Sequence, residues 1–123
     1  MQSAKASVKR VLSIQSHVVS GYVGNKCAVL PLQLLGFDVD PIMSVQFSNH
    51  TGYPSFKGTV MSGSDLESII SGMESNGLLQ HSHVLTGYIG SISFALSIAN
   101  VLQRVKSRQP DVWYGAARCI ASR

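Results

Sequence analysis

Apolar residues in this chain come in short blocks, and each block is closed by a cluster of small polar residues and glycine. Residues 10–15 read as a strand without clean alternation, which suits a strand covered on both faces. Residues 16–24 read as a loop. Asn25 is placed to cap a helix running to about Leu35, with Gly36 as its stop. That helix is apolar almost all round, which predicts deep coverage, and Pro31 should bend it. Residues 37–46 read as a second strand region interrupted near Pro41, followed by a Gly-, Pro- and aromatic-rich loop or lid over 49–57.

Ser64 and Glu67 form a capping-box pattern at the start of the next helix. Its apolar residues Leu66, Ile69, Ile70 and Met73 fall three or four apart, and it ends near Asn76-Gly77. A third strand is expected over 83–86. A helix then starts at Ser91 or Ser93 and runs to about Ser107, with Phe94, Leu96, Ile98, Val101, Leu102 and Val105 as its apolar set. A fourth strand begins over 111–114. The order β-α-β-α-β-α-β predicts an α/β fold with a mostly parallel sheet, helices on both faces and right-handed crossovers. Ligands of such sheets sit beyond the carboxyl ends of the strands, where three polar loops converge here.

Composition supports a folded chain. Of 123 residues, 45% are hydrophobic and 13% charged, about half the usual charged share. The net charge of +4 belongs to the ends: residues 1–10 and 104–123 are basic, while the middle is acidic. No basic stripe with interleaved aromatics is present, so nucleic acid is not an expected partner. No apolar run approaches the about 20 residues that span a bilayer, so no membrane role is expected. Cys27 and Cys119 lack metal-ligand spacing and point to a reducing compartment, the cytosol. The basic residues 1–9 read as a flexible tail rather than an organelle leader.

The richest chemistry lies in Ser44-Val-Gln-Phe-Ser-Asn-His-Thr-Gly-Tyr53, an apolar strand that breaks into hydrogen-bonding groups beside aromatic rings. Such a loop can hold a small polar ring. Thr51 can hold a ring substituent and His50 can orient a group, although a lone loop histidine is as readily a solvated one. Ser16 offers a hydroxyl to a ligand or to a turn. Tyr88, after Gly87, can swing over a pocket or pack on its helix. Gly21-Tyr-Val-Gly24 can aim amides at an anion or merely turn the chain, and it is not a P-loop. His81 and His83 share a strand face without a third ligand, so no metal site is expected. No nucleophile–base pair is visible, and no carboxylate sits in the three loops.

The segments Arg10-Val-Leu-Ser-Ile-Gln-Ser-His17, Gly21-Tyr-Val-Gly-Asn-Lys26, Pro31-Leu-Gln-Leu-Leu-Gly-Phe37, Ser44–Tyr53 and Leu85-Thr-Gly-Tyr88 together resemble pyridoxal kinases of the eukaryotic, plant-like type. The resemblance spans 10–114 and implies a partial ribokinase-like three-layer sandwich. It also implies transfer of the ATP γ-phosphoryl to the 5′-hydroxyl of pyridoxal, pyridoxine or pyridoxamine in vitamin B6 salvage, with Mg2+ and in a homodimer. It assigns ring contacts to Ser16 and Thr51, a flanking ring to Tyr88 and apolar walls to Val23 and Phe47. His50 joins this substrate-binding set, and Phe56 would help cover it.

Departures from the family pattern bear on activity. The family's Cys-Asp-Pro-Val-x-Gly-Asp segment after the fourth strand is replaced by Val112-Trp-Tyr-Gly-Ala-Ala-Arg-Cys119. Its Thr-Pro-Asn and Gly-Thr-Gly-Asp motifs have no counterpart, so no catalytic residue is assigned and the ATP- and Mg2+-binding segments are largely missing. Met43 stands where such kinases commonly carry Asn. The chain is thus expected to be the front of a larger domain with a divergent tail at 115–123, and inactive alone. A non-catalytic dimerisation or regulatory partner of a full-length kinase, and a module that only binds vitamin B6, are the alternative readings.

Overall fold

The computed structural model describes residues 9–117. The tail over 1–8, residues 118–123 and Cys119 lie outside the described residues. The elements in chain order are β1 (Arg10–Val18), α1 (Gly24–Leu34), β2 (Asp38–Phe47), β3 (Gly58–Val60), α2 (Gly63–Ser75), β4 (His83–Thr86), α3 (Ile92–Arg108) and β5 (Trp113–Ala116). The sheet order is β3-β2-β1-β4-β5. β2, β1, β4 and β5 are parallel, and β3 joins β2 antiparallel. This is the expected α/β sandwich with one addition: β3 lies in a segment that showed no strand pattern. Three exposed residues are too short to display a period, and only the pairing Val45↔Val60 to Phe47↔Gly58 makes them a strand.

Side chains alternate across β1. Leu12 and Ile14 point to one face and join Ile42 and Val84 under α2 and α3. Those helices contribute Leu66, Ile70, Phe94, Ile98, Val101 and Val105. Burying each such side chain contributes about 1.5–3 kcal/mol, so this layer supplies most of the apolar driving force. Val11, Ser13 and Gln15 point to the other face, which α1 covers over β1 and β2.

Several local expectations are corrected. β1 runs three residues past Gln15, so Ser16 stands in the strand rather than at a loop's start. Pro41 does not interrupt β2, because Asp38 N donates to Lys9 O and alternate residues face β1. The missing N–H of Pro41 then points to the side where β3 pairs only with 45–47. The N-cap of α1 is Val23, without a side-chain bond, and Asn25 is buried inside the helix. Nor is α1 deeply covered: Leu30, Leu34 and Leu35 are 59%, 78% and 75% exposed. The capping box of α2 is formed by Ser62 and Asp65, two residues ahead of Ser64 and Glu67. In α3, Ser91 caps as expected, but Leu96 faces solvent. β5 begins at Trp113 and extends to Ala116, into the segment read as divergent tail.

Candidate functional site

The chain runs from β1 to β2 on one side, then crosses back through α2 to β4 on the other. The layer of helices changes with it: α1 packs on one face, α2 and α3 on the other. The point where β1 meets β4 is therefore the switch point of the sheet. In open parallel sheets the crevice at the carboxyl ends of strands there is the ligand position. Ser16, the loop after Phe47 and the turn after Thr86 all emerge along this rim, from three adjacent strands.

The rim is set by a break in the ladder. Register shifts between Gln15 and His17, where β2 advances from Met43 to Gln46. Asn25 reaches into that break. Its Nδ2 lies 3.0 Å from Ile42 O and 3.3 Å from both Ser13 O and Gln15 O, and its Oδ1 accepts from Ser13 Oγ at 2.6 Å. Gln15 Nε2 donates to Ser13 Oγ at 3.0 Å. All three side chains are buried, so this network supplies partners that the bulge would otherwise remove. Above it, Gly24 has φ +39° and lies against Ser16, so that a Cβ there would fall 2.7 Å from Ser16 Oγ. The first turn of α1 is thereby seated on the Ser16 hydroxyl. Val23, half-buried, precedes it. Lys26 Nζ donates to Val19 O and Gly21 O at 2.8 and 3.0 Å and holds the 19–22 turn.

The loop after β2 is tied from within. Ser20 N donates to Ser48 O, and Lys57 N donates to Ser48 Oγ at 3.1 Å. Asn49 Nδ2 donates to Ser55 O at 3.0 Å. Gly52 N donates to His50 Nδ1 at 3.0 Å, so the neutral imidazole carries its proton on Nε2 and offers a donor there. His50 also packs on Tyr53, with ring centroids 4.8 Å apart. Phe47 and Phe56 pack with tilted rings, centroids 5.0 Å apart, which puts Phe56 over the strand end. Thr51 and His50 are exposed. After β4, Gly87 N donates to Ile14 O at 3.0 Å, and Gly87 sits against the Gln15 side chain. The Tyr88 ring lies over Gly90 and is 68% exposed, so it rests on its own turn.

Two surface cavities lie elsewhere. One, of about 620 Å³, opens between β2, β3 and α2 beside Met43, Gln46, Val60 and Ile69. The other, of about 360 Å³, is an apolar trough on the α1 face lined by Val11, Leu32, Phe37, His83, Leu85 and Trp113. Neither includes Ser16, Thr51 or Tyr88.

His81 and His83 do not share a strand face. His81 precedes β4, is fully buried and contacts Asp40 Oδ2 through Nε2 at 2.7 Å. Burial pushes its pKa below the usual histidine value, against the pull of Asp40. Asp40 also accepts from Arg10 at 2.8 Å, and this cluster is at the amino ends of the strands, away from the rim. Among the described residues no group of three or more His, Cys, Asp or Glu could hold a metal ion. The contributions of Asn25, Ser13 and Lys26 were missed from sequence. The one available signal was a polar Asn and Ser in otherwise apolar blocks.

Comparison with known proteins accords with this geometry. No family model matches the chain. Over 105 residues it is 64% identical to a pyridoxal kinase of Arabidopsis thaliana and 47% identical to one of Homo sapiens. Each match covers 85% of this chain and 34% of the relative. Among solved structures, a pyridoxal kinase from Leishmania donovani in complex with ADP and pyridoxamine superposes with a TM-score of 0.84 at 42% identity, covering 88% of this chain and 39% of that one. A pyridoxal kinase from Trypanosoma brucei superposes with a TM-score of 0.80 at 42% identity, over 91% and 42%. The chain spans about a third of the length of the curated relatives it matches. It is related to the pyridoxal kinases over their N-terminal portion and carries that part of their ribokinase-like fold.

Proposed function

We propose that this chain forms the vitamin-facing wall of a pyridoxal kinase, an enzyme that moves the γ-phosphoryl of ATP to the 5′-hydroxyl of pyridoxal, pyridoxine or pyridoxamine. The supporting observation is the convergence of three polar turns at the switch point, in a chain 64% identical to a pyridoxal kinase where the two align. In this reading Ser16 and Thr51 hydrogen-bond the pyridine ring and its substituents, and Tyr88 flanks the ring. Val23 and Phe47 are its apolar walls, and His50 orients a ring group through Nε2. The Leishmania donovani relative was solved with ADP and pyridoxamine, which suits this division between ring and nucleotide.

Phosphoryl transfer depends on positioning and on stabilising charge. The carboxylates Asp38 and Asp40 stand at the amino ends of the strands, and the described residues do not fit Mg2+, so no step through the metal is assigned to them. In this reading the described residues orient the acceptor hydroxyl, and no base for the transfer is assigned to them. A homodimer and a cytosolic location are part of the same proposal. The bare leucines of α1 favour a second reading, a non-catalytic partner that associates with a full-length kinase.

The test is ATP-dependent phosphorylation of pyridoxal by two proteins. One is the 123-residue chain. The other is this chain fused to the segment of the Arabidopsis thaliana relative that it does not align with. The first is expected to be blank and the second active; turnover by the first, or none by a folded second, would overturn the proposal.

A further inference from the structure

Ser13, Gln15 and Asn25 are buried polar residues in the layer under α1, where apolar side chains would pack without the loss of hydration. What they join gives the reason. Asn25 Nδ2 has two hydrogens and serves carbonyls of two strands, Ser13 and Gln15 in β1 and Ile42 in β2. It thereby fixes the strands against each other where the register jumps from Gln15↔Met43 to His17↔Gln46. That jump decides how far Ser16 and Phe47 stand out at the rim. Asn25 is also the second residue of α1, so the same bonds seat Val23 and Gly24 over Ser16. With its amide hydrogens committed to backbone, Asn25 acts on a ligand only through these neighbours.

The network reaches the third loop as well. Gln15 Nε2 donates to Ser13 Oγ, which donates in turn to Asn25 Oδ1. The rest of the Gln15 amide lies against Gly87, where an added Cβ would fall 2.9 Å from Oε1 and 3.1 Å from Cγ. Gly87 N donates to Ile14 O, and Tyr88 follows it. Ring-binding groups must be held within about 0.5 Å of their working positions, and groups carried by β1, β2 and β4 need a common reference. We infer that Ser13, Gln15 and Asn25 are positioning residues of the vitamin site, one buried unit that sets Ser16, Val23, Phe47 and Tyr88 at fixed spacing. This deepens the kinase reading above and rests on it for the ligand; the mechanical coupling of the rim elements stands apart from it.

Ser13→Ala removes one hydroxyl and cuts both links while leaving Asn25 and Gln15 in place. Amide hydrogen exchange in the 123-residue chain reports on the unit, because Val19 N bonds Phe47 O, Lys26 N bonds Val23 O and Gly87 N bonds Ile14 O. Relative to the Leu66 amide of α2, all three should exchange at least about tenfold faster in the variant. Val101→Ala, in the opposite layer, is the control for lost stability alone and should not single out the rim. In the fused protein Ser13→Ala should raise KM for pyridoxal about tenfold and leave KM for ATP constant, while Val101→Ala moves neither. Rim amides that speed up alike in both variants, a change at only one of the three amides, or an unmoved KM for pyridoxal in an active fusion overturns the inference. An inactive parent fusion removes the kinase reading instead, and the exchange pattern by itself then upholds or overturns the coupled unit.

Discussion

The Ser13 hydroxyl donates to Asn25 Oδ1 across 2.6 Å and joins the middle of β1 to the first turn of α1. Asn25 uses its amide nitrogen on Ser13 O, Gln15 O and Ile42 O, the carbonyls beside the register shift. The bulge that carries Ser16 to the rim is thus held by a buried side chain. Asn25→Leu keeps the volume but leaves these carbonyls without a donor. Burying one such group without a partner costs about 1–3 kcal/mol. The urea midpoint of the chain should fall accordingly, and an unchanged midpoint would remove the network from the account.

Two glycine substitutions should act in opposite directions. At Gly24, φ is +39° and an added Cβ meets Ser16 O at 2.6 Å and Ser16 N at 2.9 Å, both backbone atoms. Gly24→Ala should cost at least about 1–2 kcal/mol from the left-handed conformation alone. Gly72 is inside α2 with nothing within 4 Å of its added Cβ, so Gly72→Ala should stabilise by about 0.5–1 kcal/mol. Thermal unfolding of the two variants reads both signs, and a shared sign would contradict the backbone argument.

Stability should depend on pH through His81. Its Nε2 faces Asp40, while Nδ1 is buried without a partner among the described residues. Arg10 and Asp38 are the other charges acting on it. Burial disfavours the charged imidazolium and outweighs the pull of Asp40, so the folded-state pKa lies below the ordinary 6.5. The unfolded chain then binds the extra proton first. Stability is complete above about pH 6.5 and falls as pH drops through the lowered value. His83, also lowered by burial, adds in the same direction. Urea midpoints between pH 7.5 and 5 should decline, and His81→Gln should flatten that slope. An equal slope in the variant would assign the effect to other groups.

The residues proposed to face the ring can be weighed in the fused protein. Thr51→Val and Ser16→Ala each remove one hydroxyl. Loss of one hydrogen bond, about 0.5–1.5 kcal/mol, corresponds to roughly a 2- to 12-fold rise in KM for pyridoxal. On the proposed placement of these residues on the vitamin side, KM for ATP should stay constant. Equal changes in both constants would place them elsewhere.

Much of this was legible along the chain. Strands at 10–15 and 83–86 and the helix from Ser91 follow from apolar blocks, caps and polar punctuation, all local in origin. The order of elements implied a parallel sheet with its polar rim at the carboxyl ends, and the structure has that order with β3 added. The extent of β1, the strand at β3 and the tolerance of Pro41 were not legible, since each depends on which backbone groups a neighbouring strand satisfies. Asn25 looked like a helix cap because its neighbours in sequence suggest one. Only the bulge between β1 and β2 gives it four partners, from residues 10 to 17 positions away. Coverage was misread for the same reason: the leucines of α1 are apolar wherever they stand, but burial is decided by what packs on them, and among the described residues Leu30, Leu34 and Leu35 remain in water. Local propensity determined where the chain turns, whereas long-range pairing decided which side chains the turns bring together.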